Sequence, residues 1–226
     1  MVHCTTIAAL LGVAILAPTS ALADSWSAAA TLQIDVQAGA IVDDGALEER
    51  EQQASIGTTL RSWVSKDWPV HLALGLDYRM GATQPGGFLY QFNVLPLGLG
   101  FTASDALLVG VSTGIGISQI TGRLEVAAQV PLETRLELRV SDRIWLAGMA
   151  QARWLLRDSR KDGSQSLSFA DEASARLTMR WGRRYDRPPR VHAGDGYFVG
   201  VAAGEELGSR SILAVFGYAI DVAARR

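Results

Sequence analysis

The sequence has few residues that could form crosslinks or act in catalysis, and its net charge is small. Cys4 is the only cysteine among 226 residues, so no disulfide can form within the chain. Small secreted domains often depend on disulfides, and this chain must be stabilised in another way. Lysine and arginine number 21 against 23 acidic residues, a net charge of −2. Nucleic-acid binding normally requires a strongly basic face, so no nucleic-acid partner is expected.

Long apolar runs are also lacking. The run from Ile7 to Pro18 is shorter than the roughly 20 residues that a membrane-spanning helix needs. It leads to Ala21-Leu22-Ala23, the small-x-small pattern that precedes a signal-peptide cleavage point. We therefore expect residues 1–23 to be a secretory signal peptide that includes Cys4. Residues 24–226 are then expected to form one exported domain without cysteine and without a transmembrane helix.

What the sequence does contain is alternation. In residues 123–140, RLEVAAQVPLETRLELRV, apolar or small residues occupy every even position, and Arg, Glu and Gln occupy most odd positions. A two-residue period is the signal of a β-strand with two different faces. The same period recurs along the chain and predicts ten strands, near residues 30–40, 53–65, 69–80, 88–102, 106–120, 122–140, 143–157, 167–182, 196–205 and 210–222. Most exceed the five or six residues of an ordinary strand and suffice for the nine to eleven of a tilted membrane strand.

The connections between these strands alternate in length. Tight, Asp-containing turns are predicted at 65–69, 102–106 and 140–144, and longer loops at 42–53, 81–87 and 157–166. Short turns at one end and longer loops at the other are typical of an outer-membrane barrel.

Two prolines interrupt the pattern. Pro96 lies where the apolar parity switches, which predicts a β-bulge. Pro131 interrupts residues 123–140 without a change of parity. It predicts a kink or a stretch above the bilayer, because a closed barrel has no edge strand to accommodate a missing N–H.

Alternation alone does not say which face meets solvent. In a soluble barrel the apolar residues fill the core, whereas in a membrane barrel they face lipid and the polar residues line the lumen. Aromatic residues near strand ends favour the second arrangement, because amphipathic rings concentrate at the two membrane interfaces. The expected belts comprise Trp63, Trp68, Trp145, Trp181 and Tyr197 at the turn end, and Tyr78 and Trp154 near the opposite end.

The polar face favours the same arrangement. Along 107–118 this face carries Gly and Ser, and along 123–139 mainly Arg and Glu, which is how a narrow lumen fills itself. The predicted lumen charge network is Asp35, Arg61, Asp77, Arg79, Arg123, Glu125, Glu133, Arg135, Glu137, Arg139, Arg153, Arg176 and Arg180. Both signs are present, so most of these charges can pair, as buried charges must.

The strand–turn–strand units LELRVSDRIWLAGMA (136–150) and GLGFTASDALLVGVSTGIG (98–116) resemble the small outer-membrane β-barrel proteins of Gram-negative bacteria, the OmpA-, OmpX- and OmpW-like barrels. The resemblance implies an all-β, closed, antiparallel up-and-down transmembrane barrel of about ten strands, with eight or twelve as alternatives. It also implies contact with outer-membrane lipid and lipopolysaccharide, and insertion by the barrel-assembly machinery. In the last strand, Gly217, Ile220 and Val222 match the family's assembly signal, whereas Val215 and the closing AARR depart from it.

A barrel of ten strands is only slightly wider than one filled by its own side chains. We therefore expect a charge-paired lumen and a monomer with a structural or surface-interaction role, rather than a general diffusion porin. His71 and His192 both fall at the turn end, away from the outer rim where hydrolases of this architecture act, so no catalytic residue is expected. No cofactor or metal is expected either.

Three further readings stay open. The chain is alternatively a soluble exported barrel that binds a small apolar ligand, or a narrow outer-membrane channel for ions or small solutes. The fifth and sixth strands also exceed what a bilayer needs. Their hairpin, with its tip at Thr121-Gly122, is therefore a candidate recognition element that projects above the surface.

Overall fold

The computed structural model describes residues 27–42, 52–65, 69–84, 86–120, 124–156, 172–184, 193–206 and 209–221. Ten strands account for nearly all of them: β1 (Ser27–Ile41), β2 (Gln52–Ser65), β3 (Val70–Gln84), β4 (Gly87–Ser104), β5 (Leu107–Ile120), β6 (Leu124–Ser141), β7 (Ile144–Leu156), β8 (Glu172–Arg184), β9 (Ala193–Glu206) and β10 (Ser209–Asp221). Among these residues, no helix is long and apolar enough to cross a membrane. The expected signal peptide and the tip at Thr121-Gly122 lie outside the described residues.

The strands close into a barrel. Each pairs antiparallel with its neighbours in the chain, and β1 pairs with both β2 and β10. Following the Cα partners once around the barrel from Ala40 leads back to β1 at Ala28, so the register is staggered and the strands are tilted. The ten-strand, antiparallel, up-and-down barrel predicted from the sequence is confirmed.

The alternation of the sequence becomes an inside and an outside. On β6, Leu136 and Leu138 are 45% and 38% exposed, whereas the residues that precede them, Arg135 and Glu137, are 9% and 1% exposed. Successive side chains of a strand point to opposite faces, so one strand supplies both surfaces. The apolar residues of β6 therefore face outward and its charged residues face the lumen.

The bulge predicted at Pro96 is confirmed. The β4–β5 register shifts between Val94 and Leu97, and the β3–β4 register shifts between Leu72 and Gly75. The buried parity of β4 changes with the bulge, from odd-numbered to even-numbered residues. An extra residue on one strand rotates the following side chains to the opposite face.

The ladder between β5 and β6 is interrupted at Pro131. Cα partners join Thr113 to Leu132 and Gly116 to Gln129, and none is assigned between these two pairs in the described part of β5 and β6. The Thr113 hydroxyl donates to the carbonyl of Pro131 over 2.8 Å. On its other side Pro131 stays in register with Arg153 of β7. Proline lacks the N–H that the ladder needs, so the interruption falls on one side only.

Three of the predicted connections can be compared with the structure, and those at 42–53, 65–69 and 157–166 lie largely outside the described residues. Two-residue turns at 105–106 and 142–143 confirm two of the tight turns. The longer loop predicted at 81–87 is wrong, because β3 continues to Gln84 and Thr83 pairs with Gly87. Backbone pairing with β2 and β4 overrides the Gly- and Pro-rich composition of this segment. Gly86 has a φ of 79°, a left-handed conformation that glycine adopts without a Cβ penalty.

Candidate functional site in the barrel lumen

One ionic cluster of the described lumen is built around Arg61 of β2. Its Nη1 and Nη2 atoms donate to the two carboxylate oxygens of Asp77 over 2.7 and 3.0 Å. Its Nε and Nη2 atoms donate to Glu133 over 3.2 and 2.6 Å. Nη1 also donates to the carbonyl of Leu60 over 3.0 Å. Bidentate, charge-assisted hydrogen bonds of this kind are the strong ones, and they compensate for the burial of three charges.

This cluster spans the lumen. Arg61 lies on β2 and Asp77 on the adjacent β3, whereas Glu133 lies on β6, which is not a neighbour of β2 in the barrel. The Arg61–Glu133 ion pair therefore connects two walls that no backbone hydrogen bond joins.

A second connection joins β8 to β1. Nη1 of Arg176 donates to Oδ2 of Asp35 over 2.9 Å, and Nε2 of Gln37 donates to Oδ1 over 2.9 Å. The guanidinium groups of Arg176 and Arg180 lie 5.3 and 5.6 Å from the centre of the Phe198 ring. These are cation–π distances, and this ring therefore supports two cations of the lumen.

Shorter-range pairs complete the ionic network. Arg135 and Glu137 of β6 lie 3.1 Å apart, and Arg153 and Glu172 lie 3.4 Å apart. Arg153 also donates to the hydroxyl of Ser174 over 3.1 Å. These contacts extend the network to β7 and β8.

Most predicted lumen charges occupy the luminal face. Those described are Asp35, Arg61, Asp77, Arg79, Glu133, Arg135, Glu137, Arg139, Arg153, Arg176 and Arg180. Arg123 and the side chain of Glu125 lie outside the described residues. The contacts described above join nine of these eleven side chains, Arg180 through the Phe198 ring.

The search for charges missed a neutral polar cluster. Nε2 of Gln129 donates to Oδ1 of Asn93 over 2.5 Å, and the Ser118 hydroxyl donates to Oε1 of Gln129 over 3.2 Å. Gln33 accepts from Arg135 and Arg180 over 3.2 and 2.5 Å in the amide orientation that satisfies these donors. Each of these residues shares the inward parity of its strand, so parity was the signal that could have identified them.

Two members of the expected aromatic belts are in the lumen instead. Trp63 is 2% exposed and Trp145 is 1% exposed, so the belt prediction is wrong for both. The reason is parity, because Trp63 shares a face with Arg61 and Trp145 shares a face with Arg153. Position near a strand end does not determine which face carries a side chain.

The other described belt residues have outward parity. Trp181 and Tyr197 are exposed, and the ring of Tyr197 meets that of Tyr218 edge-to-face at 4.7 Å. Tyr78 meets Tyr90 in the same geometry at 5.6 Å. Trp154 is partly exposed, and Trp68 lies outside the described residues.

Trp63 packs against a part of the barrel wall that is formed by two glycines. A Cβ on Gly110 would come within 3.1 Å of its indole ring, and one on Gly100 would collide with it. Ala73 and Leu108 join Trp63 in a buried apolar cluster. This part of β4 and β5 is therefore a recess that the indole fills.

The remaining candidates do not assemble a reactive site in the described lumen. Nε2 of His71 and Oγ1 of Thr102 are 2.6 Å apart at the turn end. His192 lies outside the described residues. No group of three or more His, Cys, Asp or Glu side chains suited to a metal ion occurs among the residues described.

A cavity beside Arg79 and Arg176 has a volume of about 10 Å³, room for one water molecule. Gln37, Ser174 and Ser211 line it as well. The described lumen thus offers paired charges and amide side chains, with room for a single water molecule at this point.

No protein-family model matches the sequence, and no curated protein matches it significantly. Among solved structures, the chain is similar to the translocator domain of the autotransporter NalP from Neisseria meningitidis, with 10% identity over 96% of both chains and a TM-score of 0.43. It is also similar to the NanC porin, with 8% identity over 84% of this chain and 100% of that one and a TM-score of 0.46. For the β domain of the Bordetella autotransporter BrkA, the identity is 12% over 87% and 99% of the chains, with a TM-score of 0.44. These similarities determine neither a family nor a function.

Proposed function

We propose that the chain is a monomeric barrel of the Gram-negative outer membrane, with a structural or surface-interaction role. Its ten strands cross the bilayer, its outer surface contacts lipid and lipopolysaccharide, and its lumen is filled by paired charges. Insertion by the barrel-assembly machinery and kinship with the OmpA-, OmpX- and OmpW-like barrels belong to the same proposal. A general diffusion porin and an enzyme are not part of it.

The observation that carries the proposal is the apolar outer surface. Large apolar side chains such as Leu97, Ile115 and Val201 are more than half exposed, and similar residues occur on every strand. A water-soluble monomer rarely exposes so large an apolar surface, whereas hydrocarbon accommodates it without cost. The closed barrel also pairs the backbone groups of its strands with one another, which hydrocarbon requires.

The contacts inside the lumen support a barrel whose lumen is blocked, rather than a diffusion pore. Arg61 and Glu133 connect opposite walls through a fully buried ion pair. Wide aqueous channels are found in barrels of sixteen to eighteen strands, whereas about eight strands leave room only for side chains. With ten strands and a water-sized cavity, the described lumen belongs near the narrow limit.

The soluble alternative requires the opposite arrangement. A soluble barrel with an apolar ligand needs an apolar interior, but the buried side chains of the described lumen include Arg61, Arg153 and Arg180. The outward position of Leu136 and Leu138 is equally unsuited to water.

Fractionation of cells that express the full chain tests the proposal. We expect the protein in the outer-membrane fraction, extractable only with detergent, and an unheated sample that migrates differently from a boiled one on an SDS gel. The boiled sample is the internal control, because boiling unfolds the barrel. Recovery in the soluble periplasmic fraction without detergent contradicts the proposal.

A further inference from the structure

We propose that the lumen is a closed path for small ions, and that Arg61 and Trp63 of β2 are the two side chains that close it. The inference rests on the proposed insertion in a membrane. The two residues are separated by one position on the same strand, so both point inward. Both are 2% exposed.

Arg61 closes the centre of the lumen. Its guanidinium lies between Asp77 on β3 and Glu133 on β6, with N–O distances of 2.7 and 2.6 Å. The Arg61 side chain and the Glu133 carboxylate together cross the lumen between strands that are not neighbours.

Trp63 closes the lumen two residues further along β2, nearer the turn end. Its indole occupies the recess formed by Gly100 and Gly110, with Ala73 and Leu108 beside it. Because the two glycines have no side chains, nothing on that part of the wall replaces the indole if it is removed. Truncation of Trp63 therefore leaves a gap along β4 and β5.

On the loop side of this closing pair, the lumen carries polar atoms that have no partner among the described residues. Oε1 of Gln37, Nε2 of Gln53, Oγ of Ser55 and Nε2 of Gln91 are buried and form no hydrogen bond with the part of the chain that the structure describes. Such groups are ordinarily satisfied, and water that enters from the loop end is the partner available to them. The water-sized cavity at Gln37 lies in the same half of the lumen. The polar half of the path thus extends from the loop end of the described strands to Arg61.

The charges at the closing pair predict an ion preference. If Arg61 is truncated, Asp77 and Glu133 lose the cation that bridges them and are left on the two sides of the path. Two carboxylates at a constriction favour cations over anions.

Conductance of the full chain in planar bilayers tests the inference. Wild type is expected to be silent, whereas Arg61→Ala/Trp63→Ala is expected to give stepwise currents, with a reversal potential in a KCl gradient that shows preference for K⁺. The matched control is Arg210→Ala/Trp181→Ala, which removes the same residue types from exposed positions and should be as silent as wild type. Adding Gly100→Leu to the double variant refills the recess from β4 and should reduce the current again.

Heat-dependent migration on SDS gels is checked first, and a wild type that fails to fold or insert counts against the proposed function alone. A double variant that inserts but stays silent overturns the closing pair. Wild-type or control currents equal to those of the double variant do the same, and anion preference overturns the constriction at Arg61. If the double variant does not fold, Arg61→Met/Trp63→Leu, which removes the guanidinium and the indole but leaves a smaller apolar side chain at each position, is measured by the same criteria.

Discussion

Arg61 illustrates how a single residue holds charge inside a barrel. Its guanidinium has two carboxylates and two backbone carbonyls as partners, so its donors are paired although the side chain is buried. Removal of one partner from such a cluster leaves the others as uncompensated buried charges. The cost of a substitution here is therefore set by the carboxylates that remain.

Arg61→Leu should lower the free energy of unfolding by about 3–5 kcal/mol, because the buried Glu133 and the partly buried Asp77 then lose their shared cation. Urea titration of the folded barrel, followed by the unheated gel band, measures the change. Arg210→Leu is the control, since the side chains of Arg210 and Glu205 are 59% and 45% exposed and 4.0 Å apart. An exposed pair contributes about 0–1 kcal/mol. Equal losses in the two variants contradict the account of a buried network.

Substitution of Gly86 tests the effect of backbone conformation on stability, separately from steric contacts. It has a φ of 79°, and a Cβ there would meet nothing within 4 Å. Gly86→Ala should therefore cost about 1–2 kcal/mol through its left-handed conformation alone. Gly148, in strand β7, has equally open surroundings, so Gly148→Ala should not destabilise the barrel. Urea titration of both variants measures the difference, and a neutral Gly86→Ala rules out the left-handed turn.

At the scale of the strand, period-two alternation was enough to predict all ten elements. Even the bulge at Pro96 followed from a change of parity. The same rule, applied strictly, places Trp63 on the face of Arg61. The belt prediction relied on nearness to the strand end instead, and for Trp63 and Trp145 this was the weaker criterion.

The pairings within the lumen could not be predicted in the same way. Parity predicts that Arg61 and Glu133 both point inward, but not that they meet. Their contact depends on the stagger of the strands and on the closure of β1 with β10. Together these bring Arg61 on β2 and Glu133 on β6 to opposite sides of the lumen at the same height along the barrel axis. Neutral residues such as Gln129 and Asn93 were missed because only charge was searched for.

The contact between the Trp63 side chain of β2 and Gly100 of β4 can be tested by mutation. Gly100→Ala should destabilise the barrel, because the added Cβ collides with the indole of Trp63. In a Trp63→Ala background the same change should cost less. A double-mutant cycle is expected to give a coupling energy of about 0.5–3 kcal/mol, measured by urea titration. Strictly additive effects contradict the contact.

At the scale of the whole molecule, the outer surface determines the environment that the barrel requires. Leu177 lies near the middle of β8 and is more than half exposed, whereas Val42 follows the end of β1. Leu177→Arg should cost about 2–4 kcal/mol in liposomes and Val42→Arg about 0–1, because the penalty for an outward charge falls with distance from the midplane. Unfolding from liposomes measures both, and equal small costs contradict a lipid-facing surface.

The most direct test of the central claim is which face of a strand touches lipid. Single cysteines at Ser174, Ala175, Leu177 and Thr178 of β8 carry spin labels in liposomes, and relaxation by lipid-soluble oxygen is compared with relaxation by a water-soluble nickel complex. We predict high oxygen accessibility at Ala175 and Leu177, which face outward, and low accessibility at Ser174 and Thr178. Higher accessibility to the nickel complex than to oxygen at Ala175 and Leu177 would contradict the account.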